Sequence, residues 1–277
     1  MYLTKITVLT ALLAGLPLVS CGSKHNSTDN AEAQPALHDT DSVPETIKKL
    51  VKAVNDDDGQ GFANLVSYPL QRPYPLHDID SPEEMSEYYH KLVDDSLRQV
   101  ILKAGAEKWS EYGWRGWSLD DGRYLWVDDN VYDINYISSV EKRDLDSLSQ
   151  LEISTIEPSI REGWRPVMCL RGESNGKIYR VDSRTTGEDY DTHHFRLAVY
   201  DASKDLSSLP SELVEGKMEV EGSAGTVIFM FGSSDTNPEY VLQPEATDSP
   251  DPVIVNTSGE TIQLQRAYWH DLVKNKL

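Results

Sequence analysis

The chain has 277 residues, 39% of them hydrophobic and 9% aromatic, with 26 Lys and Arg against 46 Asp and Glu, for a formal net charge of −20. The apolar fraction is enough for packed cores and excludes wholesale disorder, and the length sets one large domain or two ordinary ones. So large an acidic excess repels phosphate and disfavours nucleic acid as a partner, and no stretch reaches the roughly 18 consecutive apolar residues of a membrane-spanning helix.

Met1 to Lys5 is a short basic start, and Ile6 to Leu18 is an apolar run interrupted by Thr7, Thr10, Gly15 and Pro17. Residues 1–20 therefore read as an export signal. The run ends in Leu18, Val19, Ser20 and Cys21, which resembles the bacterial lipobox. The resemblance implies that Cys21 is acylated and opens the mature chain, so that the protein meets the membrane through its N-terminal lipid. Two or three acyl chains anchor a protein almost permanently, at roughly 0.8 kcal/mol per buried methylene. Gly22 stands where an aspartate would resemble an inner-membrane retention signal, which favours the outer membrane, and its periplasmic face, in a bacterial envelope. With Cys21 lipidated, Cys169 has no partner left for an intrachain disulfide. Residues 21–43 are mostly small and polar and read as a flexible tether, spanning roughly 25 Å as a coil.

A first folded unit is expected over residues 44–145. Ser42, Pro44 and Glu45 open a helix whose Ile47, Leu50, Val51 and Val54 share a face. A short helix from Phe62 and a proline-punctuated stretch from Tyr68 to Leu76 follow. Ser81, Pro82, Glu83 and Glu84 then start one long helix, with Met85, Tyr88, Tyr89, Leu92, Val93, Leu97, Val100 and Ile101 on a broad apolar face over about five turns. Beyond Lys108 the period becomes two: Trp114–Leu119 and Arg123–Val127 flank the hairpin signal Asp120-Asp121-Gly122, and Val131–Ile137 is the next strand. This order, with Phe62, Tyr68, Pro69, Trp114 and Trp117 at core positions, resembles the nuclear-transport-factor-two-like superfamily. That likeness implies an α+β cone of helices on a bent antiparallel sheet.

Glu141 to Ser159 is charged and serine-rich and reads as a connection or weakly structured helix, with residues 146–160 as the linker between the two units. From 161 to 277 nearly everything alternates: Pro166–Arg171, Lys177–Asp182, His194–Tyr200, Lys217–Glu221, Val227–Phe231, Tyr240–Gln243, Val253–Val255 and Thr261–Gln265 are short strands, with turns at Asn175-Gly176 and Ser258-Gly259. Such spacing suggests an all-β sandwich or small barrel. Ala267–Lys276 is a terminal helix.

Four groups bear on function. Asp56, Asp58, Gln60 and Gly61 match the first half of a calcium loop, but its twelfth position is Ser67, which offers no bidentate carboxylate. Glu188, Asp189, Asp191, His193 and His194 offer metal-ligand types at no recognised spacing. The default for both groups is a solvated acidic loop, and no metal or other cofactor is assigned. His90, Tyr89, Tyr124 and Asp128 have the right types for proton transfer in a cone with an isomerase- or hydrolase-like pocket, the alternative reading, although no nucleophile motif accompanies them. The fourth group is aromatic. Trp109, Tyr112, Trp114, Trp117, Tyr124 and Trp126 crowd beside Asp120, Asp121, Asp128 and Asp129. Alternation sends part of this set to the core and leaves the rest to line an opening in which rings and carboxylates grip a sugar. The ligand-binding candidates are Trp114, Trp117, Tyr124, Trp126 and Asp128. The expectation is a non-catalytic binding or scaffold module with a glycan, cell-wall or envelope-protein ligand. Cys169, in the run Val167–Leu170, reads as a buried core residue.

Overall fold

A computed structural model of the chain describes residues 43–185, 193–221, 226–233, 238–244 and 252–274. The expected signal, Cys21 and all of the tether before residue 43 lie outside them.

Helix α1 (Glu45–Asn55) starts after Pro44 and buries Ile47, Leu50, Val51 and Val54, the face its spacing predicts. Asp58 caps α2 (Gly59–Ala63) by accepting from the Gly61 N–H at 2.8 Å. Ser81 caps α3 (Pro82–Leu92) by accepting from the Glu84 N–H. The long helix expected from here is instead two, because Asp94 interrupts it. Its carboxylate accepts from Ser96 N at 3.1 Å and Leu97 N at 3.0 Å, and so starts α4 (Asp95–Lys103). It also accepts from Tyr136 Oη at 2.8 Å and Ser139 N at 3.2 Å. A cap that gains two tertiary hydrogen bonds outweighs the bonds of a continued helix. The apolar face survives the break, with Met85, Tyr89, Leu92, Leu97 and Ile101 all buried.

Four short strands follow: β1 (Trp109–Glu111), β2 (Trp117–Leu119), β3 (Leu125–Val127) and β4 (Val131–Ile134). They form an antiparallel sheet in chain order. The β2–β3 hairpin turns where expected, on three successive left-handed residues, Asp120, Asp121 and Gly122 at φ 53°, 55° and 80°. Trp109, Leu119, Leu125, Val127, Val131 and Ile134 close one core with the helices.

Of the two readings for the stretch after residue 145, linker or weakly structured helix, the structure has helix over most of it. Helix α5 (Ser139–Thr155) runs through the expected boundary at 145, opened by a capping box between Ser138 and Glu141. Two of its acids are fully buried rather than solvated. Glu141 takes a two-pronged ion pair from Arg72, with both contacts at 2.9 Å, while Arg72 also donates to the carbonyls of Ile134 and Tyr136. Glu152 is held by Tyr74 and His270. A short helix α6 (Pro158–Arg161) completes the connection.

The remaining strands are β5 (Arg165–Gly172), β6 (Ile178–Thr185), β7 (His193–Tyr200), β8 (Glu212–Glu221), β9 (Thr226–Phe231), β10 (Tyr240–Gln243), β11 (Val253–Asn256) and β12 (Thr261–Ala267). Each pairs antiparallel with its neighbour in sequence, and β12 returns to β5, so the β half is a closed eight-stranded barrel rather than a sandwich. Eight strands leave an interior that side chains can fill, and Tyr179, Val181, Phe195, Leu197, Phe229, Phe231, Leu242 and Ile254 pack together there. Gly216 on β8 pairs with both Phe195 and Phe231, and a Cβ on it would lie 2.2 Å from the Met230 carbonyl oxygen.

A second apolar cluster joins Cys169, Ile178, Ala198 and Tyr200 of β5–β7 to Trp269 and Val273 of α7 (Trp269–Lys274). The same strands bury Arg180 and Arg196, both paired with Asp182. Arg180 lies 4.2 Å from the Trp269 ring, and Arg196 lies 4.3 Å from the Trp164 ring. The loop between Leu70 and Ile79 joins the two halves. Asp78 accepts from Arg266 on both oxygens at 2.9 Å, and its backbone N–H donates to Tyr268 Oη at 2.9 Å.

Candidate functional site

The small sheet sorts its aromatic residues by parity. Trp109 is buried, and Trp117 and Tyr124 pack against the helical core, so these two ligand-binding candidates serve chiefly as structure. Trp126 pairs with Ser118 and stands on the opposite face. Its ring lies against Gly122, where an added Cβ would come within 2.6–2.7 Å of it. Around Trp126, Tyr112 lies at 5.2 Å between ring centroids and Tyr132 at 6.5 Å, giving a row of three rings. Trp114, on a short 3-10 turn between Gly113 and Gly116, is 64% exposed, with the Arg115 guanidinium 5.0 Å from its ring; Tyr112 is 40% exposed.

Hydrogen bonds hold the two tyrosines in place. Tyr112 Oη donates to Asp121 Oδ1 at 2.9 Å, Ser110 Oγ donates to the same oxygen at 3.1 Å, and Tyr132 Oη donates to the Arg115 carbonyl at 2.8 Å. The bond to Asp121 raises the Tyr112 phenol above its ordinary value. Asp128 is exposed, and its backbone lies beside Gly116. The surface is an open platform of rings with carboxylates on it, not the mouth of a cavity. Tyr112 belongs to the expected aromatic group but not to its ligand-binding candidates, and Tyr132 belongs to neither, although its place next to inward-facing Val131 on β4 is the signal that sets it on the outer face.

The proposed acid–base set is dispersed. Tyr89 is buried against Phe62, His90 is exposed beside Asp57, Tyr124 stacks on Tyr136, and Asp128 is at the surface. Among the described residues no hydrogen bond joins the α3 pair to the sheet pair. The half-calcium loop is spent on other contacts, with Asp56 on Lys52, Asp57 on Arg98 and Asp58 on its cap. Glu188, Asp189 and Asp191 and the side chain of His193 lie outside the described residues, and His194 is exposed.

Two other features were not legible in the sequence. A shallow groove of about 570 Å³ is lined by Ile153, Arg161, Gly163, Trp164, Arg165 and Ser183, none of them a predicted site residue. The other is a cluster of His77, His270 and Asp271, whose ligand-type atoms all lie within 4.8 Å of one another. His77 comes from the proline-punctuated loop and the other two from α7, so no motif spacing announces them.

Comparison with known protein families, with curated proteins and with solved structures gives no match to this chain.

Proposed function

We propose that the protein is an acylated bacterial envelope protein that binds a glycan on the outward face of its small sheet. The observation that carries this reading is the row Tyr112–Trp126–Tyr132 with the exposed Trp114 beside it. The two tyrosine hydroxyls are held by Asp121 and by the Arg115 carbonyl, Trp126 stands between their rings on the face opposite the core, and Trp114 is exposed. A sugar ring offers an apolar C–H face to stack on such rings and hydroxyls to donate to Asp121 and Asp128, which suits an amphipathic ligand. The net charge of −20 and the acidic rim favour neutral or amino-bearing sugars over phosphorylated ones.

On this reading residues 44–145 are a non-catalytic member of the cone-shaped nuclear-transport-factor-two-like class. The lipobox-like Leu18–Cys21 supplies the anchor, and the tether lets the platform reach from the membrane. Co-sedimentation of the full chain with insoluble envelope polysaccharides tests the binding. Wild-type protein is expected in the pellet and Trp114→Ala depleted from it, whereas equal pelleting of the two, or none from a broad panel, contradicts the proposal. Thiol counting tests the anchor. Burial pushes the Cys169 thiol far above its ordinary value, so it is unreactive when folded. Protein from membranes is expected to show one reactive thiol after denaturation. Two would mean that Cys21 carries no lipid.

A further inference from the structure

We propose that His77, His270 and Asp271 form a divalent transition-metal site, of the zinc type, that clips the N-terminal unit to the barrel. The proposal is independent of the glycan platform. His270 is almost fully buried, and its Nδ1 lies 2.8 Å from Oε1 of the fully buried Glu152. The same oxygen accepts from the His270 backbone N–H at 3.1 Å and from Tyr74 Oη at 3.0 Å, which pins both residues. With Nδ1–H donating to a carboxylate, Nε2 keeps its lone pair, and it faces Asp271 Oδ1 at 3.5 Å. This carboxylate–imidazole pair is the outer-shell arrangement that metal-bound histidines use to fix tautomer and ring orientation.

His77 supplies the other nitrogen. Its ring stacks on Tyr268 at 3.9 Å between centroids, and its Nε2 lies 2.9 Å from Asp271 Oδ2. Each oxygen of one carboxylate is thus faced by an imidazole nitrogen. Metal–ligand bonds of about 2.0–2.2 Å in a tetrahedron place ligand atoms about 3.4 Å apart. The contacts of 2.9 and 3.5 Å, to the two oxygens of Asp271, bracket that spacing, and one ligand atom from each residue lies within 4.8 Å of the others, so rotation of the exposed His77 and Asp271 side chains closes the set around an ion. Two imidazoles and a carboxylate select zinc or a neighbouring transition metal over calcium or magnesium. His77 and Asp271 are 56% and 42% exposed at their side chains, which leaves a fourth position open to water or a ligand.

The test is calorimetric titration of untagged full chain with zinc, repeated with calcium and magnesium, alongside thermal melting. One zinc per chain is expected, with a raised melting midpoint and no response to the other two ions. His77→Ala removes a mostly exposed ring and leaves the core intact, and it should weaken zinc binding at least tenfold. His194→Ala, at an exposed histidine elsewhere, should not change it. A visible ligand-field spectrum of tetrahedral intensity with cobalt, lost in His77→Ala, would support the same ligand set. Failure of wild type to bind zinc, or zinc affinity unchanged in His77→Ala, would overturn the proposal whether or not glycan binds.

Discussion

Asp94 carries four hydrogen bonds on one carboxylate, and they account for both a helix boundary and a pH effect. Burial pushes its pKa up, but the bonds from Leu97 N, Tyr136 Oη, Ser139 N and Ser96 N together outweigh that and leave it below the ordinary carboxylate value. A carboxyl depressed in the folded state adds stability above its unfolded pKa of about 3.9, and that stability is lost as the pH falls through the folded value. Asp94→Ala should therefore cost about 1–2 kcal/mol at neutral pH and flatten the acid limb below about pH 4, both read from urea midpoints across pH. An acid limb identical to wild type would contradict this role. Gly122 is the second informative residue. Its φ of 80° and the Trp126 ring over its Cα exclude a side chain. Gly122→Ala should cost about 1–2 kcal/mol for the left-handed conformation and displace Trp126. The near-ultraviolet circular dichroism of the tryptophans should change, with the far-ultraviolet signal retained.

Among the elements, strands were more legible than helix limits. All eight barrel strands follow from period-two alternation, because a barrel with a filled interior enforces that period on every strand. The α3–α4 break was not legible, because an apolar face continuous from Met85 to Ile101 says nothing about Tyr136 and Ser139, which reward the interruption. Helix α5 is only weakly signalled by the sequence for a related reason. Its Glu141 and Glu152 look like solvent-facing charge until distant Arg72, Tyr74 and His270 meet them. The docking of α5 through Arg72 and Glu141 gives a prediction at this scale. Arg72→Met leaves Glu141 buried without its ion pair and should cost about 3–5 kcal/mol, measured as a fall in the denaturation midpoint. A loss below about 1 kcal/mol would mean that water or another group replaces the guanidinium.

For the whole molecule, the chain order of helices, small sheet, helix and barrel agrees with the α+β expectation, and the closed barrel decides between the two β architectures considered. Side chains fill the barrel interior, and the glycan-binding proposal therefore rests on the ring platform of the small sheet. Composition located the platform only in part. Trp114 and Trp126 face outward while Trp117 and Tyr124 support the core, a division set by strand register and by the position of the turn at Asp120–Gly122. The histidine cluster was invisible because the Leu70–Ile79 loop and α7 meet only through tertiary structure.

Titration of the full chain with neutral and amino-sugar oligosaccharides, followed by tryptophan fluorescence, tests the platform most directly. Saturable quenching is expected for wild type, with affinity about two- to tenfold weaker in Trp114→Ala and in Trp126→Ala and unchanged in His90→Ala. Flat emission across the panel, or quenching that both tryptophan variants retain at full affinity, would contradict the account.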